Sequence, residues 1–161
     1  MSTNRTAIYQ LWLSQLKADL INEYNKSGLK ASGAYERELE AVVTNDKVTM
    51  WGAYHSQFMQ IGRRPTKAAG TKGEGVLTKA ILEWIDAKSI TPEPGMTKKT
   101  LAFLIARKIH RDGIIVPNKY NSGDVISKVI TDERILELVK SIEYVEVETI
   151  SSDIMKLLKS A

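Results

Sequence analysis

A chain of 161 residues with 43% hydrophobic and 26% charged side chains has the size and composition of one globular domain. It contains no cysteine, which excludes a disulfide scaffold, a cysteine-ligated metal and a cysteine nucleophile. The net charge of +4 is uneven: residues 1–59 are neutral, residues 60–120 carry twelve basic against five acidic side chains, and residues 132–161 carry four against seven.

The opening MSTNRTAIYQ has no apolar run after a basic stretch, so no secretory signal is expected. No stretch approaches the roughly 18 apolar residues that span a bilayer. A cytoplasmic protein without membrane contact is the expectation. Residues 7–26 predict an amphipathic helix, with Ile8, Trp12, Leu16 and Leu20 every four residues and Leu11, Leu13, Ile21 and Tyr24 widening the stripe. Gly28 suits its C-terminal stop. From Ala34 to Trp51 the strand formers Leu39, Val42, Val43, Val48, Met50 and Trp51 flank the turn residues Thr44–Lys47, which predicts a β-hairpin. Glu36, Glu38 and Glu40 then fall on one solvated strand face.

Ala53–Ile61 predicts one or two helical turns with Tyr54, Phe58 and Ile61 on one side. The next fourteen residues, 62–75, hold four glycines, a proline and no large apolar side chain, so a long exposed loop is expected there. Two helices follow. Val76–Lys88 carries Leu77, Ile81, Trp84 and Ile85 on one stripe, and Thr97–Arg111 carries Leu101, Leu104, Ile105 and Ile109 with Phe103 at its flank. Trp12, Trp84 and Leu104 are expected to be buried. Gly113, placed after Lys108, His110 and Arg111, makes a good helix end because cations suit the negative end of the dipole. Residues 89–96 form a stiff connector and 114–124 a loop. Val125–Ile130 fits a strand or a helix start, Glu133–Ile142 a helix, Tyr144–Ile150 an edge strand and Ser151–Lys159 a short helix. The whole predicts one α+β domain over residues 1–161: an N-terminal helix, an antiparallel β-hairpin or small sheet, two central helices, and a short C-terminal strand and helix.

Motifs for catalysis are sparse, and no enzyme is expected. Neither His55 nor His110 has a partner at metal spacing, so no metal or cofactor is expected. His110-Arg111-Asp112 spells a kinase catalytic-loop triplet, but it ends a helix and no G-x-G-x-x-G or D-F-G accompanies it. Gly70–Gly75 opens a helix yet fails the G-x-x-x-x-G-K-[ST] pattern. The connector of eight residues is too long for a helix-turn-helix. Lys98, Lys99, Arg107, Lys108 and Arg111 leave non-specific phosphate contact open, so a small DNA-binding accessory protein using residues 63–111 is the alternative function.

The order of elements carries a resemblance. An N-terminal helix and a hairpin precede Tyr54 and the turn Ile61-Gly62-Arg63-Arg64-Pro65. A glycine-rich loop, a helix with Trp84-Ile85, and a helix reading Ala102–Ile109 with Gly113 follow. Over roughly residues 5–115 this resembles the tail-completion, or neck, proteins of tailed bacteriophages. The resemblance implies a non-enzymatic virion protein, assembled in the host cytoplasm. Copies would form a ring of sixfold symmetry or a multiple, between the portal-side connector and the tail, around the channel that DNA leaves through. Portal and tail proteins are then its partners, and DNA a transient, non-specific one. Arg63, Arg64, Lys67 and Lys72 are the candidates to face the channel. Lys98, Lys99 and Lys108, with Glu143, Glu146 and Glu148, are the candidates to pair between subunits, since head-to-tail packing needs two complementary patches.

Overall fold

The computed structural model describes residues 3–44, 47–53, 56–66 and 75–160. Helix α1 spans Thr3–Lys26, beginning four residues before the predicted start, and Gly28 with φ 69° follows its end. Leu13, Leu16, Leu20 and Tyr24 recur at three- and four-residue spacing and are all buried. The buried line is displaced from the predicted one, so Trp12 is only half-buried and Leu11 is exposed.

That line meets Tyr35, Leu39, Val125 and Val129 in the main core. The rings of Tyr24 and Tyr35 lie 4.3 Å apart, and the Tyr24 hydroxyl donates to the Leu29 carbonyl at 3.0 Å. The hairpin is present as β1 (Glu40–Val43) paired antiparallel with β2 (Val48–Trp51), Glu40 opposite Trp51 and Val43 opposite Val48. It is shorter than the predicted segment, because Ala34–Glu38 forms a helical turn, α2. Gly33 at φ 72° bends the chain into it, and the Arg37 amide donates back to the Gly33 carbonyl at 3.2 Å. The three glutamates therefore share no strand face. Glu36 turns toward the end of α1 and accepts from Asn25 and Lys30, both at 2.8 Å.

Helix α3 spans Ser56–Ile61; Tyr54 and His55 lie outside the described residues. Helices α4 (Val76–Ala87) and α5 (Lys98–Asp112) pack against each other. Thr97 caps α5, its hydroxyl accepting from the Thr100 amide at 3.1 Å. Ala102 and Ala106 lie one turn apart in the seam, and their small side chains let α4 come close enough for Ile85 to be fully buried. Trp84 and Leu104, expected in the core, are instead 38% and 44% exposed. A helix turns about 100° per residue, which sets Trp84 to one side of Ile85 and Leu104 behind the Ala102–Ala106 row.

Val125–Val129 is helical, α6, and buries Val125 and Val129 against α1. The C-terminal part departs most from expectation. Instead of a strand over Tyr144–Ile150 and a separate short helix, one helix, α7, runs from Asp132 to Ser160. The Thr131 hydroxyl accepts from the Arg134 amide at its start. Ser141 and Thr149 donate to carbonyls one turn back, Glu137 and Val145, at 2.8 Å. The Tyr144 hydroxyl reaches Glu148 at 3.2 Å, a four-residue contact that belongs to a helix. The helix runs antiparallel to α1: Arg134 pairs with Asp19 at 2.8 Å, and Arg5 with Glu146. The result is an α+β layout, mostly helical, with a two-stranded sheet.

Candidate functional site

The expected loop of residues 62–75 opens with an ordered clasp. Arg63 and Ile114 exchange both backbone hydrogen bonds, at 2.9 and 2.7 Å, as a single antiparallel bridge. Three residues on, the Thr66 amide donates to the His110 carbonyl at 2.8 Å, and its hydroxyl meets His110 Nδ1 at 2.5 Å. His110 is thus a tie between the turn and the last turn of α5. Asn121 adds a third anchor by donating to the Met59 carbonyl at 2.8 Å.

Only glycine fits where these strands of backbone cross. A β-carbon on Gly62 would lie 2.1 Å from the Ile114 carbonyl oxygen, and one on Gly113 would lie 2.4 Å from that of Arg63. Both glycines hold positive φ, 71° and 75°, which other residues adopt at a cost. Gly62 is buried and Gly113 closes α5, so the turn is fixed to the α5 end. An open concavity of about 810 Å³ lies beside it, lined by Phe58, Ile61, Gly62, Arg63, Arg64 and Thr66. Of the four channel candidates, Arg64 is exposed and Arg63 half-buried at this edge, while Lys67 and Lys72 lie outside the described residues.

The candidates for pairing between subunits are partly engaged within the chain. Lys98 contacts Asp86 at 2.6 Å, across the α4–α5 pair. Glu146 holds Arg5, and Glu148 accepts from Tyr144. Lys99, Lys108 and Glu143 are exposed on their helices. Further along α5, Arg111 grips Asp112 at 2.6 and 2.8 Å, which raises the guanidinium pKa and holds the carboxyl below its usual range. These neighbours screen part of the basic surface that a phosphate backbone would meet.

The clasp was not legible in the sequence as a site. Its signals were the two glycines, Gly62 and Gly113, but nothing in the local pattern said that they meet. Among the described residues no three of His, Cys, Asp and Glu gather as a metal-binding group, and no helix is long and apolar enough to cross a membrane. No protein-family model, curated protein or solved structure matches the chain.

Proposed function

We propose that this chain is a non-enzymatic structural protein of a tailed-phage virion. In this reading it forms part of the ring-shaped neck between portal-side connector and tail. What supports the proposal is the clasp. Two of the features that carry the resemblance, Ile61–Pro65 and Ala102–Ile109 with Gly113, are about forty residues apart in sequence yet are held together through Arg63–Ile114 and, just beyond them, Thr66–His110. The sequence that follows, residues 67–74, is glycine-rich and carries Lys67 and Lys72. The basic segment 60–120 and the acidic segment 132–161 supply the unlike patches that head-to-tail packing needs.

Negative-stain microscopy of the purified protein, alone and with portal particles, tests the proposal together with duplex binding. The expected result is ring-shaped particles of six subunits or a multiple. DNA binding should be weak, independent of sequence and steeply reduced by salt, as for phosphate contacts alone. Tight, sequence-discriminating binding at physiological salt, with no rings, overturns it in favour of a DNA-binding accessory protein.

A further inference from the structure

Helix α7 is longer than its support. Its first half lies along α1, and the Arg5–Glu146 pair marks the last tie, close to the start of α1 at Thr3. Because the two helices run antiparallel, the fourteen residues after Glu146, 147–160, continue past the beginning of α1, and every one of them is exposed. At 1.5 Å per residue this is an arm of about 21 Å.

The arm is not a polar extension. Val147, Ile150, Ile154, Leu157 and Leu158 follow three- and four-residue steps and form one stripe, each 50% to 70% exposed. The stripe continues a face of α7 on which Leu136 and Val139 are already exposed, and that face points away from α1. Along α1 the half-buried row of α7 is Arg134, Leu138, Ile142 and Val145. Continued at helical spacing that row becomes Thr149, Ser152 and Lys156, all polar. The apolar residues of the arm stand on the opposite face, where α1 does not reach. A helix that merely overshot its packing partner would have no reason to build a second apolar stripe there.

Charge along the arm selects the occupant. Beside the stripe the inner end carries Glu148 and the outer end Lys159, while Lys156, on the far face, pairs with Asp153 at 3.2 Å. Laid parallel, two such arms set like charges side by side. Laid antiparallel, they set unlike charges side by side. Glu148 and Lys159 lie eleven residues apart on the same flank of the stripe, so in the antiparallel arrangement each meets the other's counterpart. The same register brings Ile150 level with Leu157 of a second copy and the two Ile154 side chains together at the centre. We infer that the free half of α7 is a self-association arm that pairs antiparallel, about a two-fold axis, with the same arm of a second copy of this chain.

The contact is isologous, as the commonest dimers are. It is also small, less than the roughly 800 Å² per partner of a standard interface, so a micromolar pairing is expected rather than a permanent one. It uses neither the clasp nor the α4–α5 face, but it shares Glu148 with the acidic segment that the neck proposal gives to ring packing, so the Ile150 and Ile154 changes rather than the charge swaps separate the two.

Sedimentation velocity over a hundredfold range of concentration tests it. The wild-type chain, 18.0 kDa, should pass from monomer to dimer mass. Ile150→Glu with Ile154→Glu should remain monomeric throughout, with unchanged helical circular dichroism, because both positions are exposed. Glu148→Lys or Lys159→Glu alone should weaken pairing about threefold to thirtyfold, since each acts twice across the two-fold. The two together should restore it. A wild-type chain that stays monomeric, a dimer indifferent to the Ile150 and Ile154 changes, or no rescue by the double charge swap would each overturn the proposal. Rings that persist in the arm variants leave the neck reading intact; pairing without rings leaves the arm intact.

Discussion

Replacing Gly113 by alanine probes whether the clasp organises this part of the chain. The new β-carbon would stand 2.4 Å from the Arg63 carbonyl oxygen and about 3.0 Å from the Pro65 ring, closer than atoms approach, and neither neighbour is the far end of a flexible side chain. The backbone at Gly113, φ 75° and ψ −165°, is a region kept for glycine, and holding another residue there costs about 1–3 kcal/mol. Relieving the contact means parting Arg63 from Ile114, which gives up two backbone hydrogen bonds at about 0.5–1.5 kcal/mol each. The loss should therefore total about 2–6 kcal/mol, a large share of a domain stability of about 5–15 kcal/mol. Urea denaturation followed by circular dichroism measures the global part. Tryptic cleavage after Arg63 measures local opening, because that residue is held in the bridge only while the clasp is closed. Gly75→Ala is the control: φ there is −64° and nothing lies within 4 Å of a new β-carbon, so its cost should stay below about 1 kcal/mol. If Gly113→Ala costs less than about 1 kcal/mol and cleavage after Arg63 is no faster, the clasp does not hold the turn.

Ile85→Ala should cost about 2–5 kcal/mol in the same denaturation experiment, because Ile85 is fully buried in the α4–α5 seam. Trp84→Ala, despite the larger residue, should cost less than Ile85→Ala, and the reverse order would mean that the seam is misplaced. Burial raises the Tyr24 and Tyr35 hydroxyl pKa values above 10.0, so the folded chain holds these protons more tightly than the unfolded one. Their contribution is complete below about pH 10 and is lost as pH rises beyond it. Two of the six tyrosines should accordingly ionise together with loss of helicity in an alkaline titration followed by tyrosinate absorbance. Ionisation of all six at the free-tyrosine value with helicity intact would refute this.

What the sequence revealed follows the range of the signals involved. The α5 boundaries were legible because Thr97 and Gly113 act on backbone within a turn of themselves. The hairpin was legible because its turn residues and strand formers are neighbours. The α4–α5 seam misled because size was taken for burial: Leu104 and Trp84 are the larger residues, yet Ala102 and Ala106 line the contact. Tyr144–Ile150 misled differently. Its alternation of acidic and apolar residues over seven positions matches a strand, and the helical row emerges only when Leu138, Ile142 and Val145 are counted with it. The arm was hidden for the same reason, since its stripe exists only once α7 is one helix. The clasp needed a pairing between Arg63 and Ile114 that no local pattern encodes.

The antiparallel run of α1 and α7 has a consequence for how the chain is made. The apolar line of the first helix, Leu13, Leu16 and Leu20, packs with Tyr35 and Leu39 from the segment that follows it and with Val125 and Val129 from far down the chain, and its neighbouring side is closed by Arg134 and Glu146. Synthesis proceeds from the N-terminus, so α1 leaves the ribosome long before the last of the residues that cover it exist. Contacts this distant in sequence also form late, after the entropy of closing the intervening loop has been met. A nascent or truncated chain ending before residue 125 therefore carries a leucine row covered only in part, the kind of surface that chaperones hold and that aggregates when they do not. The C-terminal residues do more than extend the structure: they determine when the burial of the first helix is completed.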